Sequence, residues 1–147
     1  MDKQRMEELY DYPAPHSFRV SVIAEDIDAL GHANNAVYLR WLEQVAWSHS
    51  QSVGVDFAEF DRLRRAMVAR RHELDYLAPC LAGDKLEVCT WVCDTKRAGF
   101  NRRYQIIRLA DGVTVMRALT RWACINMETG RPTRMPPEFV EAYYSSH

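Results

Sequence analysis

The sequence predicts an α+β fold in which an antiparallel five-stranded sheet wraps around one long central helix. Three observations carry that reading. A helical apolar period runs from Ala36 to about Val53. One strand-like segment precedes it and four come after it in series. Short turn signals join the last strands, which makes consecutive strands antiparallel. A sheet must bury one face, and this helix is the one large element available to cover it. A single helix leaves part of a five-stranded sheet uncovered, so the chain is expected to self-associate as a homodimer or homotetramer.

The elements run in chain order. Residues 1–16 read as a charged ordering tail that ends in Tyr12-Pro13-Ala14-Pro15. Phe18, Val20, Val22 and Ala24 alternate with Arg19, Ser21 and Ile23, the period of a strand. In the long helix Tyr38, Leu42, Val45 and His49 recur at helical spacing, and Leu39, Trp41, Ala46 and Trp47 put apolar mass on its other faces. A helix apolar nearly all round is a buried one. Glu43 inside it then calls for a paired cation, or for a raised pKa. Gly54 suits the C-cap. Phe57 to Leu63 reads as a connector helix. Strands are expected at Met67–Tyr76, Lys85–Cys93, Phe100–Leu109 and Val113–Ile125, with breaks at Ala78-Pro79 and Asp111-Gly112. On the first of these, Val68, Arg70, His72, Leu74 and Tyr76 alternate onto one face. A short helix from Pro137 to Tyr144 ends the pattern, with Pro at its first position.

Composition narrows the function classes. A length of 147 residues suits one domain, 1–147, with a core over about 18–126. The net charge of −1 supplies no basic field for nucleic acid. No run is long and apolar enough for a membrane span, and no leader-like apolar stretch succeeds the charged N-terminus. Cys80, Cys89, Cys93 and Cys124 form no CxxC pair and no zinc-finger spacing with histidine, so they read as free thiols of a cytoplasmic, reducing-compartment protein. No metal and no organic cofactor is expected.

The most informative segment is Asp28-Ala29-Leu30-Gly31-His32-Ala33-Asn34-Asn35-Ala36-Val37-Tyr38-Leu39. An acid and a histidine stand four apart in a turn that feeds a helix start. The first N–H groups of a helix lack intrahelical acceptors, and the helix dipole favours negative charge there. A carboxylate beside such donors suits attack on a carbonyl, the donors holding the oxyanion. The plainer reading takes Asp28 as a turn residue, Asn34 or Asn35 as a cap and Tyr38 as core. It leaves His32 unexplained. Gly31 would let the backbone approach a substrate closely. Asp26, two residues before Asp28 in an extended stretch, competes with it as the acid.

This order of elements, with these motifs, resembles the hotdog fold. It is similar to the acyl-CoA thioesterase branch that includes 4-hydroxybenzoyl-CoA thioesterases and related bacterial short- and long-chain acyl-CoA thioesterases. The resemblance covers roughly Phe18 to Asn126. It rests on Asp28-x-x-x-His32-x-Asn34-Asn35-x-x-Tyr38-Leu39-x-x-x-Glu43 and on Asp75-Tyr76-Leu77-Ala78-Pro79-Cys80-Leu81-Ala82-Gly83-Asp84-Lys85-Leu86-Glu87-Val88. It implies hydrolysis of an acyl-CoA thioester. Asp28 would be general base or nucleophile, His32 and Asn34 would assist, and helix-start amides would form the oxyanion hole. Gly31, Asn35 and Tyr38 would contact substrate. His72 becomes a lesser candidate, because dimers of this fold place active sites at the subunit boundary. Lys96 and Arg97, in a basic turn next to Arg102-Arg103, are candidates for the CoA phosphates. Some relatives carry an aromatic or a valine where His32 stands. The His32-x-Asn34-Asn35 form is similar to the long-chain branch, so a fatty acyl-CoA is expected over an aryl-CoA. Glu43 lies well inside the helix and reads as structural or supporting.

Three other functions fit less of the sequence. A thioesterase acting on acyl carrier protein would want a broad basic surface at the pocket mouth. A non-catalytic acyl-binding module would have no use for an acid at the helix start. A hydratase would need a hydration motif, and the chain has none.

Overall fold

A computed structural model describes residues 2–144. The elements are α1 (Lys3–Leu9), β1 (His16–Ser21), a 3₁₀ turn (Ala24–Asp26), α2 (Asn35–Ser52), α3 (Phe57–Leu63), β2 (Arg65–Tyr76), β3 (Lys85–Lys96), β4 (Gly99–Arg108), β5 (Thr114–Asn126) and α4 (Pro137–Tyr144). The five strands form one antiparallel sheet in the order β1-β3-β4-β5-β2. The expected helix and five strands are all present, with ends moved by a few residues.

The sheet packs one face on α2. Trp41, Leu42 and Val45 of the helix are buried against Leu86 and Val88 of β3, Tyr104 and Ile106 of β4 and Met116 of β5. Each such side chain removed from water contributes roughly 1.5–3 kcal/mol, which makes this layer the main source of stability. The helix is amphipathic rather than apolar all round. Arg40, Glu43 and Gln44 are exposed, so Glu43 needs no buried partner; water solvates it.

The other sheet face is covered in part, and here the reading of residues 1–16 as a tail is corrected. Lys3–Leu9 is helical, capped by Asp2, whose side chain accepts the Arg5 N–H at 2.8 Å. It buries Met6 against Cys89, Trp91 and Ile107. Gln105 Nε2 donates to the Leu9 carbonyl at 3.0 Å, and the Trp91 indole donates to that of Pro13 at 3.0 Å. Arg117 makes two 2.8 Å hydrogen bonds to Asp11. A seven-residue helix does not persist alone in water; these contacts hold it.

β2 departs from the simple alternation that the sequence predicts. Its register with β5 shifts between Ala69 and Arg71, so Arg70 is the extra residue of a bulge. One inserted residue flips the phase of the rest of the strand. His72, Leu74 and Tyr76 oppose Thr120, Ala118 and Met116 on the helix-side face. Before the bulge that face takes Met67 and Ala69, not Val68 and Arg70. β1 and β2 are the sheet edges, and β2 presents twelve residues along one of them.

Candidate active site

The loop before α2 is built around two acids with different tasks. An isolated antiparallel bridge joins Ile27 to Ala33 and closes the turn. The Asp28 N–H donates to the His32 carbonyl at 2.8 Å, and the Gly31 N–H donates to that of Asp28 at 3.0 Å. Asp28 Oδ1 accepts the Leu30 N–H at 2.9 Å and the His32 N–H at 3.4 Å. The other carboxylate oxygen accepts no hydrogen bond among the described residues. Gly31 sits at φ +80° with open space where a Cβ would be, so the conformation of the turn, and not crowding, calls for glycine there.

Asp26 points inward. It is 4% exposed, accepts the Ile23 N–H at 3.0 Å through one oxygen and Arg40 at 3.0 Å through the other. Its carbonyl also receives the Asn34 N–H at 2.8 Å. Asp26 therefore ties the loop to the first turns of α2. Asn34 is the N-cap: its side chain accepts the Ala36 N–H at 2.9 Å. The Ala33 N–H donates to the Cys80 carbonyl at 2.8 Å, which anchors the loop to the segment after β2. The Asn35 N–H, first in the helix, has no acceptor among the described residues.

Beside the helix start lies a depression of about 290 Å³, walled by Asp28, His32, Asn35, Tyr38, Tyr76 and Leu77, with Leu30, Ala33, Ala78 and Pro79. Of the residues singled out in the sequence, it gathers Asp28, His32, Asn35 and Tyr38. Gly31 and Asn34 shape the loop from behind. The Tyr76 hydroxyl donates to the Asn35 carbonyl at 3.1 Å, and its ring stands edge-on to Tyr38, centroids 5.2 Å apart. Burial pushes the Tyr38 hydroxyl well above the ordinary tyrosine range, so it stays a neutral donor, hydrogen-bonded to Cys80. Burial likewise pushes the Cys80 thiol up, which makes it a poor nucleophile. Tyr76 and Leu77 stand in the second sequence motif with no role that the sequence assigns. They reach the site because β2 ends beside the helix start.

Three candidates lie elsewhere. His72 stands on β2, its Nδ1 2.7 Å from Thr120 Oγ1. Lys96 and Arg97 form the β3–β4 turn, eleven residues along β3 from the end that meets the Asp28 loop. At about 3.3 Å per residue that is roughly 35 Å away in the same protomer. They line an open groove with Arg134, Met135, Val140 and Tyr144.

A second cavity, about 350 Å³ and mostly apolar, lies along the C-terminal half of α2. Ala46, Trp47 and Ser50 of α2, Phe60 of α3, Met67 and Ala69 of β2, Phe100 and Arg102 of β4 and Tyr143 of α4 line it. Glu43 stands at its rim. Arg102 is 1% exposed. The sequence placed it in a basic cluster, but Phe100, Arg102, Tyr104 and Ile106 alternate onto the helix-side face. That alternation was the available signal.

Known proteins share this sequence pattern and this architecture. The family model of the thioesterase-like superfamily matches residues 22–143. A 1,4-dihydroxy-2-naphthoyl-CoA hydrolase of Gloeothece citriformis is 34% identical over 70 residues, 47% of this chain and 49% of that protein. Oleoyl-acyl carrier protein thioesterase 2 of Arabidopsis thaliana is 30% identical over 109 residues, 69% of this chain and 29% of its own length. The matches thus span about half of the first relative and under a third of the second. Among solved structures, a Staphylococcus aureus protein in complex with CoA superposes with a TM-score of 0.85 at 20% identity, over 90% of this chain and 84% of that one. A 1,4-dihydroxy-2-naphthoyl-CoA thioesterase from Synechocystis gives 0.81 at 19%, over 89% and 96%. A Thermus thermophilus thioesterase complexed with coenzyme A and Zn gives 0.75 at 28%, over 88% and 92%. The sheet wrapped on one long helix is the hotdog fold that these structures share, and the chain belongs to the thioesterase-like superfamily.

Proposed function

We propose that the chain hydrolyses acyl-CoA thioesters in the depression beside the α2 N-terminus. One observation carries the reading: among the described residues Asp28 keeps an oxygen free of the turn, on the same wall as a helix start whose first N–H, that of Asn35, has no acceptor. Water attacks the acyl carbon while Asp28 takes its proton; alternatively the carboxylate attacks and an anhydride is hydrolysed afterwards. The oxyanion accepts from the Asn35 N–H. The carbon–sulfur bond breaks, and CoA leaves as a thiolate, its thiol pKa of about 8.5 requiring little help from an acid. His32, exposed on the wall, hydrogen-bonds the bound thioester, and Asn34 keeps the donors aligned.

A fatty acyl group is the substrate that the His32-x-Asn34-Asn35 form supports. The likeness to oleoyl-carrier-protein thioesterases supports a fatty chain too, and it raises the carrier protein as a rival. An acidic carrier would seek a broad basic mouth, and among the described residues no Lys or Arg lines this depression; the phosphates of CoA need only a local pair of cations such as Lys96 and Arg97. Two-fold pairing of β2 edges would make a homodimer and set the start of one β2 beside the end of the other. The Lys96–Arg97 end of a second copy would then share a side with Asp28, and His72 would lie near the boundary. Four free cysteines, three of them buried, suit a cytoplasmic setting.

The test is thiol release from short-, medium- and long-chain acyl-CoAs, aryl-CoAs and an acyl carrier protein, with Asp28→Asn alongside. Turnover of a fatty acyl-CoA that the folded variant loses is expected. Inactivity on every thioester, or a variant as active as the parent, sinks the proposal.

A further inference from the structure

We propose that the cavity along the C-terminal half of α2 is a binding site for an apolar organic carboxylate, its anionic end on Arg102 and its hydrocarbon body among Trp47, Phe60, Met67 and Phe100. The guanidinium is a permanent cation, yet it is 1% exposed and no carboxylate lies within ion-pair range of it among the described residues. Its hydrogen-bond partners are neutral acceptors. Nη1 donates to His49 Nδ1 at 3.0 Å and to Thr90 Oγ1 at 3.3 Å. Nε, wholly buried, has no acceptor among the described residues. Phe100, whose ring centroid is 5.7 Å from the guanidinium carbon, offers only a π face.

Buried charges are ordinarily paired, because removing an ion from water costs several kcal/mol even after relaxation. Here the cation lines a cavity large enough for a small ligand, walled mainly by apolar side chains. The chemistry that completes it is a planar anion able to accept from the guanidinium edge. The apolar walls exclude a bare hydrated ion such as phosphate and select an anion with a hydrocarbon body. Glu43 at the rim makes no ion pair with Arg102 among the described residues, and its negative charge opposes deep entry of a multiply charged group. A single carboxylate fits best.

Two sources share this chemistry. One is a free medium-chain acid. The other is the far carboxylate of a dicarboxylic acyl thioester, which rests on the thioesterase reading and on the β2-paired dimer that would set this cavity beside a partner's helix start.

The first measurement is calorimetric titration of octanoate, octanamide and octanol into the native protein, Arg102→Met and Ala46→Leu. Octanoate is expected to bind, and the uncharged probes to bind about tenfold more weakly or not at all, the scale of one charge-assisted hydrogen bond. Arg102→Met should lose that discrimination. Ala46→Leu keeps the cation but narrows the cavity, and should weaken octanoate, which guards against a folding defect in the arginine variant. Absence of octanoate binding, or equal binding of octanoate and octanamide, overturns the site. So does discrimination that survives Arg102→Met. These readings need no turnover, so they stand or fall apart from the hydrolase proposal. In a second arm, suberyl-CoA and octanoyl-CoA are compared as substrates. A preference for suberyl-CoA that vanishes in Arg102→Met identifies the thioester as the source, and its absence beside intact octanoate binding identifies the free acid.

Discussion

At the N-terminal end of α2, polar groups are matched within the fold. Asn34 caps Ala36, Asp26 holds Arg40 and the Ile23 N–H, and Asp28 commits one oxygen to its own turn. One carboxylate oxygen and one helix N–H are left without partners among the described residues, on residues that line the same depression. Along the C-terminal half the polarity is reversed. A guanidinium is sealed among aromatic rings with only neutral acceptors among the described residues, and an apolar cavity adjoins it. The first end spends almost nothing in stability to expose two reactive groups. The second carries an unneutralised ion in the interior. Spare polar groups at a solvated surface point to chemistry on a substrate that arrives and leaves, whereas a buried unmatched charge points to a ligand that completes it.

The sharpest way to break this contrast is at Asp28. Asp28→Asn keeps an Oδ1 acceptor for the Leu30 N–H, so the turn should survive while the base is lost. Thioester turnover should fall by about 10²–10⁴ with the unfolding midpoint nearly unchanged. A fall in stability that matches the loss of activity would reduce Asp28 to a turn residue. Arg102→Met should act in the opposite sense. Replacing an unpaired buried ion by an apolar side chain of similar length is expected to leave stability unchanged or raise it by about 1–4 kcal/mol in urea melts. Marked destabilisation would show that the hydrogen bonds to His49 and Thr90 outweigh desolvation, and the contrast between the two ends would close.

Asp26 sharpens the comparison within the loop itself. Asp26→Ala strips the acceptors from the Ile23 N–H and from Arg40, and should cost about 1–3 kcal/mol of stability. Turnover per folded molecule should fall far less than in Asp28→Asn. If Asp26→Asn abolished turnover while the fold held, the roles of the two acids would be exchanged.

Much of this was legible in the sequence, for definite reasons. Every strand and α2 announced itself through period, because one face of each meets the core. Asn34 and Gly54 marked the ends of α2 through capping chemistry. The features that stayed hidden depended on tertiary contact. Lys3–Leu9 has too little apolar surface to read as a helix until Trp91, Gln105 and Glu87 give it a docking face. The Arg70 bulge leaves no mark in the composition of β2, yet it moves Val68 and Arg70 off the face that His72 occupies. Asp26 and Asp28 look alike as letters; burial, the Ile23 N–H and the reach of Arg40 from α2 separate them in the fold. Arg102 was obscured by its neighbour. Read as a basic pair, Arg102-Arg103 suggests surface, whereas read at the strand period, Arg102 falls in line with Phe100 and Tyr104.

The smallest expected effect tests the polar cluster behind Arg102. His16 Nε2 lies 2.9 Å from Ser48 Oγ, and its ring stands 5.2 Å from that of His49. Burial first, and the Arg102 charge second, hold the His16 pKa below its ordinary value. The folded state therefore binds this proton less readily than the unfolded chain. Stability is full above about pH 6.5, the unfolded histidine value, and declines as pH falls from there through the lowered folded value. His16→Gln should flatten that decline without altering stability at neutral pH by more than a modest amount. In Arg102→Met the decline should shrink but persist, because burial, the larger cause, remains. A pH profile unchanged by His16→Gln would assign the acid sensitivity to another group. A decline wholly abolished by Arg102→Met would make the buried cation, and not desolvation, the dominant influence on His16.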